Sequence, residues 1–238
     1  MKKIKKYISI IIIMLMIFES IGTDGLLSET TKIYGAETNK ESVQEIDRDG
    51  SPETEGPQDI EVYNSDDEEL VYGDYEYSIV DNSVTIDRYT GSDSVVVMPD
   101  NIDGYDVTGI SGCAFMGCTE LESIKISSKV KTIGMYAFSY CSNLKEINLP
   151  EGIETLGLEF IAETKIEEIK IPKSLQSGFE TLREANELKK VEFEEGTETI
   201  IAEVCMSNNK IEEIIIPEGV SKIEYGAFGG CISLKDIK

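Results

Sequence analysis

Five thiols and 46 carboxylates are the side chains of this 238-residue chain best equipped for chemistry. The thiols are Cys113, Cys118, Cys141, Cys205 and Cys231. An odd count leaves at least one sulfur free if the others pair. The chain contains no histidine and no tryptophan. That removes the commonest general base and the commonest zinc ligand together. No phosphate-cradling Gly-rich loop and no Gly-x-Ser-x-Gly nucleophile elbow occurs. The thiols show no Cys-x-x-Cys spacing that would suggest redox catalysis or a metal. One fragment, Asp47-Arg48-Asp49-Gly50-Ser51, has the start of a calcium loop. The sixth position of such a loop needs Gly and the twelfth Glu, and Pro52 and Gln58 stand there instead. The expectation is a protein without catalysis, metal or cofactor.

Net charge is −24, from 22 bases and 46 acids. Nucleic-acid binders neutralise phosphates with clustered Lys and Arg, and no such cluster follows residue 6. Nucleic acid is therefore excluded as a partner, and an anionic membrane surface is disfavoured on the same ground.

The basic start Met1-Lys-Lys-Ile-Lys-Lys6 is followed by an apolar run from Tyr7 to Phe18, interrupted only by Ser9. This is the order of a secretory signal peptide, and the run is too short to span a bilayer with ease. Small residues allow cleavage after Gly22 or Ala36; the acidic composition beyond Ala36 favours the second. Residues 1–36 are thus read as a signal peptide, with no membrane insertion after its removal and an extracellular or cell-surface destination. Residues 37–76 hold 15 acids against Lys40 and Arg48, punctuated by Gly50, Pro52, Gly56 and Pro57. Low hydrophobicity with high charge cannot offset the entropy of folding, so this span is read as a disordered linker.

What must position the remaining residues is a repeat. Apolar anchors recur at Leu121, Leu144, Ile166, Leu188, Ile211 and Leu234, at intervals of 23, 22, 22, 23 and 23 residues. Three residues after each comes Ile124, Ile147, Ile169, Val191, Ile214 and Ile237. Five after come Ile126, Leu149, Ile171, Phe193 and Ile216, with Pro150, Pro172 and Pro217 closing three of the units. Six before each anchor lie Phe115, Phe138, Phe160, Leu182, Cys205 and Phe228, read as a structural ladder. The Leu-x-x-Ile-x-Ile segment ends with the period of a short strand, and proline stops it because it donates nothing to a ladder. One such unit cannot bury its apolar positions alone. Stacked units can, and their strands must then run parallel. A longer first turn fits Val96, Met98-Pro99 and Ile102, its extra residues forming a loop at Asp103-Gly104-Tyr105-Asp106. Tyr77 to Tyr89 alternates around Asp81-Asn82, which reads as a β-hairpin, assigned with residues 77–92 to an N-terminal cap. Residues 93–238 form the solenoid, with the last turn expected to be incomplete. Cys118, Cys141 and Cys231 sit three residues before an anchor and Cys205 in the Phe ladder, which are packing positions. A disulfide between Cys118 and Cys141 is the alternative.

Units such as Ala137-Phe138-Ser-Tyr-Cys141-Ser-Asn-Leu144-Lys-Glu-Ile147-Asn-Leu149-Pro150 resemble the BspA-like leucine-rich-repeat family. The segments Val84-Thr-Ile-Asp-Arg-Tyr-Thr-Gly-Ser and Asp103-Gly-Tyr-Asp-Val107 do so too. The resemblance covers residues 75–238. It implies a β-rich solenoid: a right-handed leucine-rich-repeat stack of short parallel strands, 22–23 residues per turn, on a secreted or cell-surface protein associated with adhesion. The chain departs from the pattern in its middle, where Glu159-Phe160 and Glu163 replace the Ala-Phe and Cys positions.

In such a stack, outward strand residues line up in columns. One holds Ser123, Glu146, Glu168, Lys190, Glu213 and Asp236; the next holds Lys125, Asn148, Lys170, Glu192, Ile215 and Lys238. Glu146, Glu168, Lys170, Lys190, Glu192 and Glu213 are the candidate partner surface. An extracellular protein or glycan is the expected partner. A structural spacer or surface-layer module is the alternative function.

Overall fold

The computed structural model describes residues 70–238, so the signal-peptide reading of 1–36 and the linker reading up to residue 69 lie outside the described residues. Leu70–Tyr72 (β1) pairs antiparallel with Tyr75–Val80 (β2). The span read as linker to residue 76 therefore runs too far. β1 escapes a reading by hydrophobic pattern because all three of its residues are exposed.

β2 turns back into Ser83–Tyr89 (β3) through Asp81 and Asn82, whose φ angles are 50° and 63°. Two consecutive left-handed residues match the twist of a hairpin, and Asp and Asn tolerate that conformation. The expected hairpin is present, and β1 makes it a three-stranded meander. The five extra residues of the first turn also form a hairpin. Asn101–Ile102 (β5) and the start of Tyr105–Ile110 (β6) flank Asp103-Gly104, with φ of 49° and 86°.

The rest is a solenoid with two parallel sheets and no helix among the described residues. The front sheet carries the Ile-x-Ile strands: Val95–Val97 (β4), Ser123–Lys125 (β7), Glu146–Asn148 (β9), Glu168–Ile171 (β11), Lys190–Phe193 (β13), Glu213–Ile215 (β15) and Asp236–Ile237 (β17). The back sheet carries β6, then Thr132–Ile133 (β8), Thr155–Leu156 (β10), Ser177–Gly178 (β12), Thr199–Ile200 (β14) and Lys222–Ile223 (β16). The meander joins the back sheet only, since β3 pairs in parallel with β6. β4 is left as the first strand of the front sheet.

Each sheet is interrupted once, and at different levels. The front sheet divides into β4-β7-β9 and β11-β13-β15-β17; the back sheet divides between β12 and β14. Sequence accounts for both. Four residues run from Cys118 to Leu121 and from Cys141 to Leu144, but only three from Thr164 to Ile166. With that residue missing, Lys165 N–H turns to Leu144 C=O at 2.8 Å in place of the regular ladder bond. On the back sheet, Gly134 and Gly157 lie against the preceding turn. A Cβ on Gly157 would stand 2.2 Å from Met135 N, and one on Gly134 2.3 Å from Gly112 N. Gly178 pairs with Leu156, so the segment from it to the left-handed Glu180 is one residue shorter than that from Leu156 to Glu159, and the ladder breaks at the next level.

A third side closes each turn, held by backbone bonds between levels. Its pattern is a pair of left-handed residues four apart. The first column runs Cys113, Tyr136, Glu159, Glu180, Glu203 and Gly226, and the second Gly117, Tyr140, Glu163, Glu184, Ser207 and Gly230, all with φ between 43° and 76°. The twist aims each N–H at the next turn: Tyr136 N–H reaches Leu158 C=O at 2.9 Å, Tyr140 N–H reaches Ala162 C=O at 2.9 Å, and Glu163 N–H reaches Glu184 C=O at 2.9 Å.

These columns correct the ladder. Phe115 N–H bonds Ala137 C=O and Phe138 N–H bonds Phe160 C=O, so the rung after Phe138 is Ile161 and not Phe160. Phe160 occupies the column of Ala114, Ala137, Thr181, Val204 and Ala227. Counting back from the anchor Ile166 slipped by one because the shortened turn lies between the two. Phe115, Phe138, Ile161, Leu182 and Cys205 are fully buried, as is Phe160, while Phe228 is partly exposed. The rings of Tyr75, Tyr89, Phe115 and Phe138 follow one another at 5.4, 5.0 and 4.9 Å, which ties the cap into the core. Burying each such side chain contributes roughly 1.5–3 kcal/mol.

Candidate interaction surface

Within each of its two halves the front sheet sets the expected column residues side by side, and the columns are interrupted between β9 and β11. Ser123 stands beside Glu146, and Glu168, Lys190, Glu213 and Asp236 follow one another. Lys125 stands beside Asn148, and Lys170 beside Glu192. Between these columns Ile124, Ile169, Val191 and Ile214 point inward and are buried.

Most of the six candidate residues are occupied with one another. Lys190 Nζ lies 3.0 Å from Glu168 Oε2, and Lys170 Nζ 3.1 Å from Glu192 Oε1. Lys238 Nζ lies 2.7 Å from Glu213 Oε1. Glu146 and Lys125, in the first half of the sheet, make no ion pair among the described residues. An open depression of about 790 Å³ lies there, lined by β4, β7, β9 and the start of β11 with Lys145 and Lys165. At its apolar end Val95 and Val97 are 64% and 66% exposed. The columns therefore begin one strand earlier than the sequence reading placed them. The unbroken Val95-Val96-Val97 was the available signal, but only Val96 was recognised as belonging to the repeat.

Beside the columns runs a row of charge doublets. Lys145 lies 3.3 Å from Glu122, Lys189 3.2 Å from Glu167, and Lys235 2.9 Å from Glu212. Each lysine reaches back one turn. Three Ser-x-x-Lys spacings, Ser128/Lys131, Ser142/Lys145 and Ser207/Lys210, place their serines in exposed turns; Lys131 pairs with Glu154 at 3.4 Å and Lys145 with Glu122.

The third side carries a cluster that the sequence reading passed over. Arg183 reaches Glu180 at 2.8 Å, Glu159 at 3.4 Å and Glu184 at 3.8 Å. Glu159 is only 5% exposed. Burial pushes its carboxyl up to about 7, against the pull of Arg183 and with the repulsion of Glu184 and Glu180. Burial and the facing Glu159 also push the Tyr136 phenol up to about 12. The signal lay in Glu replacing Tyr or Cys at left-handed positions, visible only once those positions are known. Among the described residues no group of Cys, Asp and Glu is placed to hold a metal ion.

The six stacked units of this geometry match the profile of the BspA type Leucine rich repeat region, in six copies over residues 108–235. The chain belongs to that family. Among solved structures it resembles the T. pallidum Leucine Rich Repeat protein, with 24% identity, 71% of this chain and 92% of that one covered, and a TM-score of 0.53. It also resembles a leucine-rich repeat protein from Bacteroides capillosus, with 27% identity, 52% and 97% covered, and a TM-score of 0.48. No match was found among curated proteins.

Proposed function

We propose that this chain is a secreted or surface-displayed binding module that presents its front sheet to an extracellular protein or glycan and performs no catalysis. The depression over β4, β7 and β9 carries this reading. There, flanking exposed Val95 and Val97, Lys125 and Glu146 lack the ion pairs that occupy Glu168, Lys170, Lys190, Glu192 and Glu213. A partner at that end meets apolar area and free charge without first breaking an internal pair. The signal-like N-terminus and the family support an extracellular setting.

The test is capture of candidate surface proteins and glycans by the purified chain. Val97→Asp and Lys125→Glu are compared with Thr132→Lys on the back sheet. Loss of capture in the front-sheet variants, with unchanged melting, supports the assignment. Equal capture by all variants refutes the front sheet as the binding face. The alternative, a structural spacer, requires that no variant and no partner alter the behaviour of the chain.

A further inference from the structure

We propose that Cys118 and Cys141 are a redox-active pair, which a hydroperoxide converts into a disulfide joining the first two regular turns. Both residues stand five places after a first-column left-handed residue, Cys113 and Tyr136, so they occupy equivalent positions one level apart. Parallel neighbours repeat at about 4.8 Å. That spacing falls inside the Cα separation a disulfide spans, roughly 4.4–6.8 Å. Cys141 is buried, and its thiol donates to Phe115 C=O at 3.1 Å. Each thiol is the first cause of the shift in the other's titration, downward at Cys118 and upward at Cys141.

The two sulfurs differ in access and in charge. Cys118 is partly exposed and lines a depression of about 350 Å³ together with Arg88, Cys113 and Asp93. The neighbouring Cys141 thiol and the positive charge of Arg88 favour its thiolate, whereas the neighbouring Cys118 and burial hold Cys141 as a thiol. A thiolate that is accessible next to a resolving thiol is the arrangement oxidants select. The Cys118 thiolate attacks one oxygen of the hydroperoxide; with one proton taken up, Cys118 becomes a sulfenic acid and an alcohol or water leaves. The Cys141 sulfur then attacks the sulfenic sulfur, and its proton leaves with the hydroxyl as water. Two thiols and one hydroperoxide thus become one disulfide, one alcohol (water, for hydrogen peroxide) and one water.

The other cysteines lack this arrangement. Cys231 makes the same thiol bond to the preceding level, to Cys205 C=O at 3.1 Å, but the equivalent position there is Asn208. Asn208 repeats the motif with its amide, donating to Leu182 C=O at 2.7 Å. The column thus works as a side-chain ladder in which Cys118 and Cys141 are the adjacent thiols.

The experiment exposes the purified full chain to hydrogen peroxide, unfolds it, alkylates the free thiols and maps the peptides. The alkylatable thiols should fall from five to three, with a Cys118–Cys141 cross-linked peptide that a dithiol reductant releases. The oxidised chain should melt higher than the reduced chain, and Cys118→Ser should abolish both the cross-link and the shift. Cys118 sulfonate with Cys141 still alkylated overturns the proposal. So does a Cys113–Cys118 cross-link, or five alkylated thiols after a dose that fully oxidises a small thiol.

Discussion

Lys189 Nζ lies 3.2 Å from Glu167 Oε2, across one level of the stack and on its surface. The alternation Glu122, Lys145, Glu167, Lys189, Glu212, Lys235 suggests a continuous column in which each charge meets two opposites. Instead the residues form doublets, and the gap between Lys145 and Glu167 coincides with the break between β9 and β11. A double-mutant cycle on Glu167→Lys and Lys189→Glu should give a favourable coupling of ~0.2–1 kcal/mol, toward the low end because both groups are exposed. The coupling should fade in high salt. Zero coupling at low ionic strength would show that the two side chains do not meet in solution.

Ile169 is 5% exposed and pairs with Val191 inside the front sheet. Ile169→Asp places a carboxylate among apolar side chains with no partner, costing several kcal/mol or forcing protonation. Thermal unfolding should shift far downward. A melting temperature within a degree or two of the parent would dismiss the inward assignment of this column.

Gly157 tests how tightly the turns stack. The obstacle to a Cβ is the backbone of Met135, not a movable side chain. Gly157→Ala should therefore destabilise by about 1–3 kcal/mol, as overpacking does elsewhere. Gly152, whose Cβ would meet only backbone oxygens at 3.8 and 3.9 Å, is the control, and Gly152→Ala should have a much smaller effect. Equal urea midpoints for the two variants would contradict the close approach.

Glu159 makes stability depend on pH in an unusual direction. Its carboxyl is raised from 4.5 to about 7 in the folded chain. The unfolded chain therefore ionises first, and the folded state loses ground as pH rises between those two values. Below 4.5 both states are protonated and the penalty vanishes; above 7 it is constant. Glu159→Gln should remove this contribution, raising stability most at pH above 7 and flattening the profile between the two values. Parallel urea-midpoint profiles for parent and variant would show that Glu159 is ionised in the native state throughout.

The parts legible in the sequence are those where burial and period coincide. Ile124, Ile169, Val191 and Ile214 repeat at the spacing of a turn and point inward, so their outward neighbours could be placed without coordinates. Phe160 shows where this fails: both it and Ile161 are fully buried, so apolar character could not say which was the rung. Only backbone bonds to the neighbouring turn settle that. The columns of left-handed residues were hidden for another reason. Tyr136, Glu159, Glu163 and Glu184 carry side chains that ordinarily avoid that conformation, and the need for it comes from stacking rather than from local preference. Spacing placed the outward columns on one sheet, but ion pairing among their residues depends on side-chain reach that spacing does not encode.

The two interruptions have a mechanical consequence. The turn carrying β11 and β12 is joined through β12 to the N-terminal half and through β11 to the C-terminal half. It overlaps the two halves as a lap joint overlaps two boards. Tension along the axis cannot open both strand ladders at one level. It must shear this single turn, or travel down the third side, where Glu163 N–H to Glu184 C=O and Leu182 N–H to Val204 C=O cross the two seams.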